Sequence, residues 1–111
     1  MRRLALVAAL LLLAPLASAQ VIPTMTQASV TCTATSGVLL GANAASKFID
    51  VITPTTAGIW VNWTGAAAVT APPSEHIVSG AMRVWNPIVP QSAAHCISDN
   101  AGSVTVTVEY R

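Results

Sequence analysis

The chain has 111 residues, a formal net charge of +1 and only 8% charged side chains, which leaves room for one small domain and no second. Two of its five cations, Arg2 and Arg3, stand at the extreme N-terminus. Without them Lys47, Arg83 and Arg111 face Asp50, Glu75, Asp99 and Glu109, a net charge of −1. No basic stripe is left to neutralise phosphates, so nucleic-acid partners are not expected.

Arg2-Arg3 precede an apolar run from Leu4 to Leu16, and Ala17-Ser18-Ala19 follows before Gln20. A positive start, an apolar stretch and a small-x-small site describe a secretory signal peptide. We expect residues 1–19 to be a cleavable hydrophobic leader helix, cut between Ala19 and Gln20. The run falls short of the roughly 20 residues that span a bilayer. An uncleaved anchor and a buried core helix are the alternatives. Cleavage makes the mature chain exported, periplasmic or extracellular, with no stable membrane anchor. Its seven charges are sparse against the roughly one residue in four usual for soluble domains. A surface of small neutral residues suits packing against copies or partners, and equally suits a stable exported β domain.

Residues 20–28 contain Pro23 and no period, and read as an extended arm before a domain over 29–111. From there the text is short β-rich runs punctuated by Pro, Gly, Ser and Asn. Ser29 to Thr35 alternates, with Val30, Cys32 and Ala34 on one face. A brief apolar piece covers Val38 to Leu40. Lys47 to Thr53 makes a clear strand, stopped by Pro54. Gly58 to Thr64 is another, sending Ile59, Val61 and Trp63 one way and Trp60 and Asn62 the other. Pro72-Pro73 marks residues 70–75 as a loop. Ile77 to Trp85 holds a strand broken by Gly80, and Ala93 to Ser98 a short one. Asp99 to Gly102 reads as a turn. Ser103 to Tyr110 alternates throughout, one face buried and one wet. About seven strands at this spacing predict an all-β fold, a small antiparallel sandwich or barrel.

Two cysteines remain after the leader, and an oxidising compartment makes one Cys32–Cys96 disulfide the simplest reading. It would close a loop of about 65 residues, worth on the order of 4 kcal/mol. Two free thiols are the alternative, and zinc-finger spacing is absent.

Groups for chemistry are few. Glu75-His76 is the one adjacent acid–imidazole pair and falls in the expected loop. His95-Cys96 resembles a dyad, but neighbours on a strand point to opposite faces. Nucleophile-elbow, metalloprotease and phosphate-loop motifs are missing. We therefore expect no catalytic residues, no cofactor and no metal. Among the tryptophans, Trp60 and Trp63 take opposite faces of one strand and Trp85 lies near the end of another. Trp60, Asn62 and Trp85 are the candidate contact residues, for a protein interface or for stacking against a glycan. Burial on both sides of the strand is the third possibility. Asn62-Trp63-Thr64 also fits a glycosylation sequon, which matters only in a eukaryotic secretory path.

From residue 30 onward, a Thr/Val-rich strand leads to "LLGANAASKFIDVI", then "AGIWVNW", a loop, and "AAHCISDNAGSVTVTVEY". This resembles the small single-domain β-sandwich virion structural proteins of tailed bacteriophages, with their "AN…R/K…L.I.N" and "P.WV.F/Y" strands and final "A…I…G.VTVTEY" hairpin. The matching positions are Ala42, Asn43, Lys47, Ile49, Val51, Trp60, Val61, Ile97, Gly102, Val104, Thr105, Val106, Thr107 and Tyr110. The resemblance implies a capsid decoration, head fibre or tail-associated protein that acts by assembly. An exported bacterial binding module for a glycan, an envelope polymer or a protein is the alternative.

Overall fold

The structure, a computed structural model, describes residues 24–43 and 46–111. The leader and the cleavage positions Ala17, Ala19 and Gln20 lie outside the described residues. Eight strands form, β1 (Thr26–Cys32), β2 (Gly37–Leu40), β3 (Ile49–Ile52), β4 (Ile59–Asn62), β5 (Glu75–Ile77), β6 (Met82–Trp85), β7 (Ala94–Ser98) and β8 (Val104–Tyr110). They build two four-stranded antiparallel sheets, β1-β8-β3-β6 and β2-β7-β4-β5, which face each other as a sandwich.

The alternation in the text becomes the two sides of each sheet. Val104, Val106 and Val108 of β8 point inward with Ile49 and Val51 of β3. Ile59 and Val61 of β4, Ala94 and Cys96 of β7, and Ile77 of β5 meet them from the second sheet. Burying each such side chain contributes about 1.5–3 kcal/mol, the main term holding the sheets together.

Cys32 on β1 and Cys96 on β7 lie in different sheets, and the disulfide joins them with their Cα atoms 5.7 Å apart. Both residues are almost wholly buried, at 1% and 0% exposure. The bond is thus a brace across the core at the β1–β2 side of the sandwich.

Three features differ from the sequence expectation. β1 begins at Thr26, where it pairs with Tyr110, so the last residues of the expected arm already belong to the sheet. Glu75 and His76, expected in a loop, open β5 against β4. The single strand expected over Ile77 to Trp85 is two strands in different sheets, which raises the count from seven to eight. Gly80 explains the split. Its φ of +70° is left-handed backbone, at which glycine carries no Cβ penalty. The chain turns there and crosses from one sheet to the other.

Thr53, at the end of β3, pins that crossing. Its hydroxyl lies 2.7 Å from the Val78 carbonyl and 3.0 Å from the Ala81 carbonyl, and it receives the Ala81 amide at 3.0 Å. The Gly80 amide donates to Pro54 O at 2.7 Å. Gly58 serves the same corner from β4's side. A Cβ there would run into the Ile77 carbonyl and sit 2.9 Å from Asp99 Oδ2.

Candidate functional site

Three surfaces carry the side chains that could meet a partner. The first is the outer face of the β2-β7-β4-β5 sheet. Trp60 of β4 and His76 of β5 are register partners, and their rings stack with centroids 4.5 Å apart and planes within 9°. His76 Nε2 lies 3.3 Å from Asp99 Oδ2, and the same carboxylate oxygen accepts the Gly58 amide at 3.0 Å. Trp60 is half-buried, with one ring face taken by the imidazole.

Asn62 occupies the same face but is only 2% exposed. Its Oδ1 accepts the Thr64 amide at 2.9 Å and the Thr64 hydroxyl at 2.7 Å, and its Nδ2 donates to Ala67 O at 3.3 Å. The Ala68 amide reaches Ser36 Oγ beside β2 at 2.8 Å. The connection after β4 therefore crosses the outer face over β7 before returning to β5. Asn62 holds the start of that crossing, and its side chain has no reach to solvent. The outward, accessible position expected from alternation is corrected, because the following loop folds over it.

The second surface closes the open side of the sandwich between β5 and β6. Trp85 points inward opposite Ile49 and meets Trp63 edge-on, centroids 5.6 Å apart at 72°. Arg83, inward opposite Val51, places its guanidinium 4.1 Å from the centre of the Trp85 ring. Glu75 clasps the group, accepting from Arg83 Nε at 2.8 Å and 3.1 Å and from Trp63 Nε1 at 2.9 Å. Half-exposed pairs of this kind contribute about 0–1 kcal/mol each. Their geometry matters more, because they seal the core where no further strand covers it. Trp85 is half-buried in this cluster, and its Nε1 is buried without a partner among the described residues.

The third surface is the outer face of the β1-β8-β3-β6 sheet. Ile52 and Met82 are register partners, 36% and 58% exposed, and Val84 follows at 38%. Beside them Asp50 lies between Glu109 and Val84, with Oδ1 buried and unpartnered among the described residues. Burial first, and the Glu109 charge second, push the Asp50 carboxyl above the usual aspartate range.

Glu75 and His76, adjacent in sequence, thus work on opposite faces of β5. His95 likewise faces away from Cys96, which is spent in the disulfide. The clasp by Glu75 and Arg83 and the Ile52–Met82–Val84 patch escaped sequence reasoning. Plain alternation in "MRVW" would put Met82 and Val84 inside and Arg83 outside; Trp85, which shares Arg83's side, was the one signal for the reverse. Among the described residues, no group of three or more His, Cys, Asp or Glu gathers to hold a metal ion.

The fold and its brace define a disulfide-linked, eight-stranded antiparallel β-sandwich. No family model matches this chain, and no curated protein does. One solved chain is similar over 78% of this chain and 88% of its own, at 15% identity and a TM-score of 0.38. It comes from Bacillus endospore appendages, a family of disulfide-linked pili.

Proposed function

We propose that the mature chain is an exported, non-enzymatic structural module that acts by docking to proteins, copies of itself included, on an envelope or virion surface. The observation that carries this reading is the Ile52–Met82–Val84 patch. Three neighbouring large apolar side chains stand open on one sheet face of a chain with few charges. A contiguous exposed apolar patch is a candidate protein contact. Several of the polar groups that could serve chemistry are engaged elsewhere: both thiols in the disulfide, Glu75 in its clasp, Asp99 with Gly58 and His76. The disulfide supports an oxidising, exported location.

The virion form of this reading rests on the motif resemblance, whose elements "WV" and "VTVT" fall in β4 and β8. A glycan-binding module is the second reading, favoured by Trp60 on an outer face. His76 covers one face of that partly exposed ring.

The test replaces Ile52, Met82 and Val84 together by serine in the exported protein. Each is exposed, so the fold should survive, checked by circular dichroism. The reading expects wild type to co-purify with a surface particle or to associate beyond a dimer, and the triple variant to lose that property. A wild-type chain that joins no particle and associates no further than a dimer, or a variant that keeps either property unchanged, overturns it.

A further inference from the structure

The four edge strands of the sandwich are not equally open. β5 has three residues, too few to template a partner strand. β2 has four and a register break between Val38 and Leu40. β6 has four, turns Arg83 inward, and is followed by Asn86-Pro87. Short length, bulges, inward charge and proline are the devices that blunt an edge. β1 has none of them. It runs for seven residues in unbroken register with β8, from Thr26 opposite Tyr110 to Cys32 opposite Val104. It holds no proline, no glycine and no charge. Its other edge pairs with no strand among the described residues.

We infer that β1 is the self-association edge, pairing antiparallel with β1 of a second copy about a twofold axis at Ser29. This names the partner for the assembly reading above and rests on it. The occupant follows from the strand's own pattern. Even-numbered positions of β1 face the core and odd-numbered ones face out, as the exposure of Gln27, Ser29 and Thr31 and the partial burial of Ala28 and Val30 show. Centring on Ser29 sets Thr26 against Cys32, Gln27 against Thr31, and Ala28 against Val30, every pair on one face. All seven residues are used, and no like charges meet, which would disfavour pairing. Self-pairing of β6 would instead bring the two Arg83 residues close together. On the outer face Gln27 bonds Glu109 at 2.8 Å and Thr31 bonds Thr105 at 3.1 Å, both toward β8. Ser29 between them makes no such bond among the described residues. Its hydroxyl is placed to meet its counterpart on the axis. The result is one continuous eight-stranded sheet across two sandwiches, a closed isologous dimer. A single strand pair buries little area, so the dimer is expected to be concentration-dependent.

The experiment uses the full exported protein with Ser29→Cys, beside Val84→Cys at the β6 edge and Thr105→Cys one strand inward from β1. Under mild oxidation Ser29→Cys should give a covalent dimer, with peptide mapping showing the 29–29 bond and Cys32–Cys96 intact. Thr105→Cys should stay monomeric. Ser29→Lys should weaken dimerisation several-fold by sedimentation, at unchanged circular dichroism. Assembly without the 29–29 bond, or with cross-linking through Val84→Cys instead, overturns this pairing and leaves the assembly reading standing. A chain monomeric at every concentration that still joins a surface particle does the same. A monomer that joins nothing overturns both.

Discussion

Trp60 and His76 stack almost parallel across the β4–β5 pair, and this contact helps tie the shortest strand to its sheet. Three residues of ladder would fray without side-chain support. The imidazole covers one indole face and reaches on to Asp99, whose carboxylate also holds the Gly58 amide. One outer-face group thereby links β5, the start of β4 and the turn after β7.

Replacing His76 by alanine uncovers that indole face. We expect a loss of about 0.5–1.5 kcal/mol in urea unfolding, the range for a stacked aromatic pair. Tryptophan emission should shift to the red. An unchanged spectrum would mean that the stack does not persist in solution.

Reducing the Cys32–Cys96 bond frees a segment whose ends are 64 residues apart. The expected cost is about 4 kcal/mol, much of the stability of a domain this small. Chemical denaturation with and without reductant measures it. Replacing both cysteines by alanine should match the reduced protein, with a further small loss from packing.

Thr53→Val keeps the shape at the end of β3 and removes the hydroxyl that serves Val78 and Ala81. Backbone bonds still serve the Val78 and Ala81 groups, so the loss is that of ordinary hydrogen bonds, about 0.5–1.5 kcal/mol. The midpoint of thermal unfolding should fall, and amide exchange at Ala81 should accelerate more than in the β8 core.

Asp50 carries the pH dependence. Its folded-state carboxyl titrates above the usual range, so the folded chain binds this proton more tightly than the unfolded chain does. Above its folded-state value the charged form subtracts from stability. As pH falls from there into the ordinary aspartate range, that penalty is removed and stability rises. Asp50→Asn should therefore be more stable than wild type at pH 7 and should lose this acid-side gain. Thermal melts across the acid range decide the matter, and an Asn variant less stable at pH 7 would contradict it.

Much of the fold was legible because strand alternation is local. Val104, Val106 and Val108 announce their burial, and Thr105 and Glu109 their outward direction, from spacing alone. The disulfide needed only a count of cysteines and a compartment. What spacing could not carry was the pairing of strands. Six of the seven connections cross between sheets, with β4 to β5 the one step within a sheet. Faces do not reveal neighbours, so β8 settling between β1 and β3 was out of reach. Asn62 shows the limit for single residues. Its place on an outward face was readable, yet a loop anchored at Ser36 buries it.

By itself, then, the sequence determined an all-β chain, the inward and outward sides of its most regular strands such as β8, and a cysteine pair suited to bracing them. These follow from residue period and composition, which need no knowledge of distant neighbours. Only the tertiary structure decided which side chains are open to partners. That depends on which strand ends at an edge and which loop crosses a face. Ile52, Met82 and Val84 look in the text like ordinary core residues. They stand exposed because β3 and β6 pair at one side of a sheet with no layer above them among the described residues.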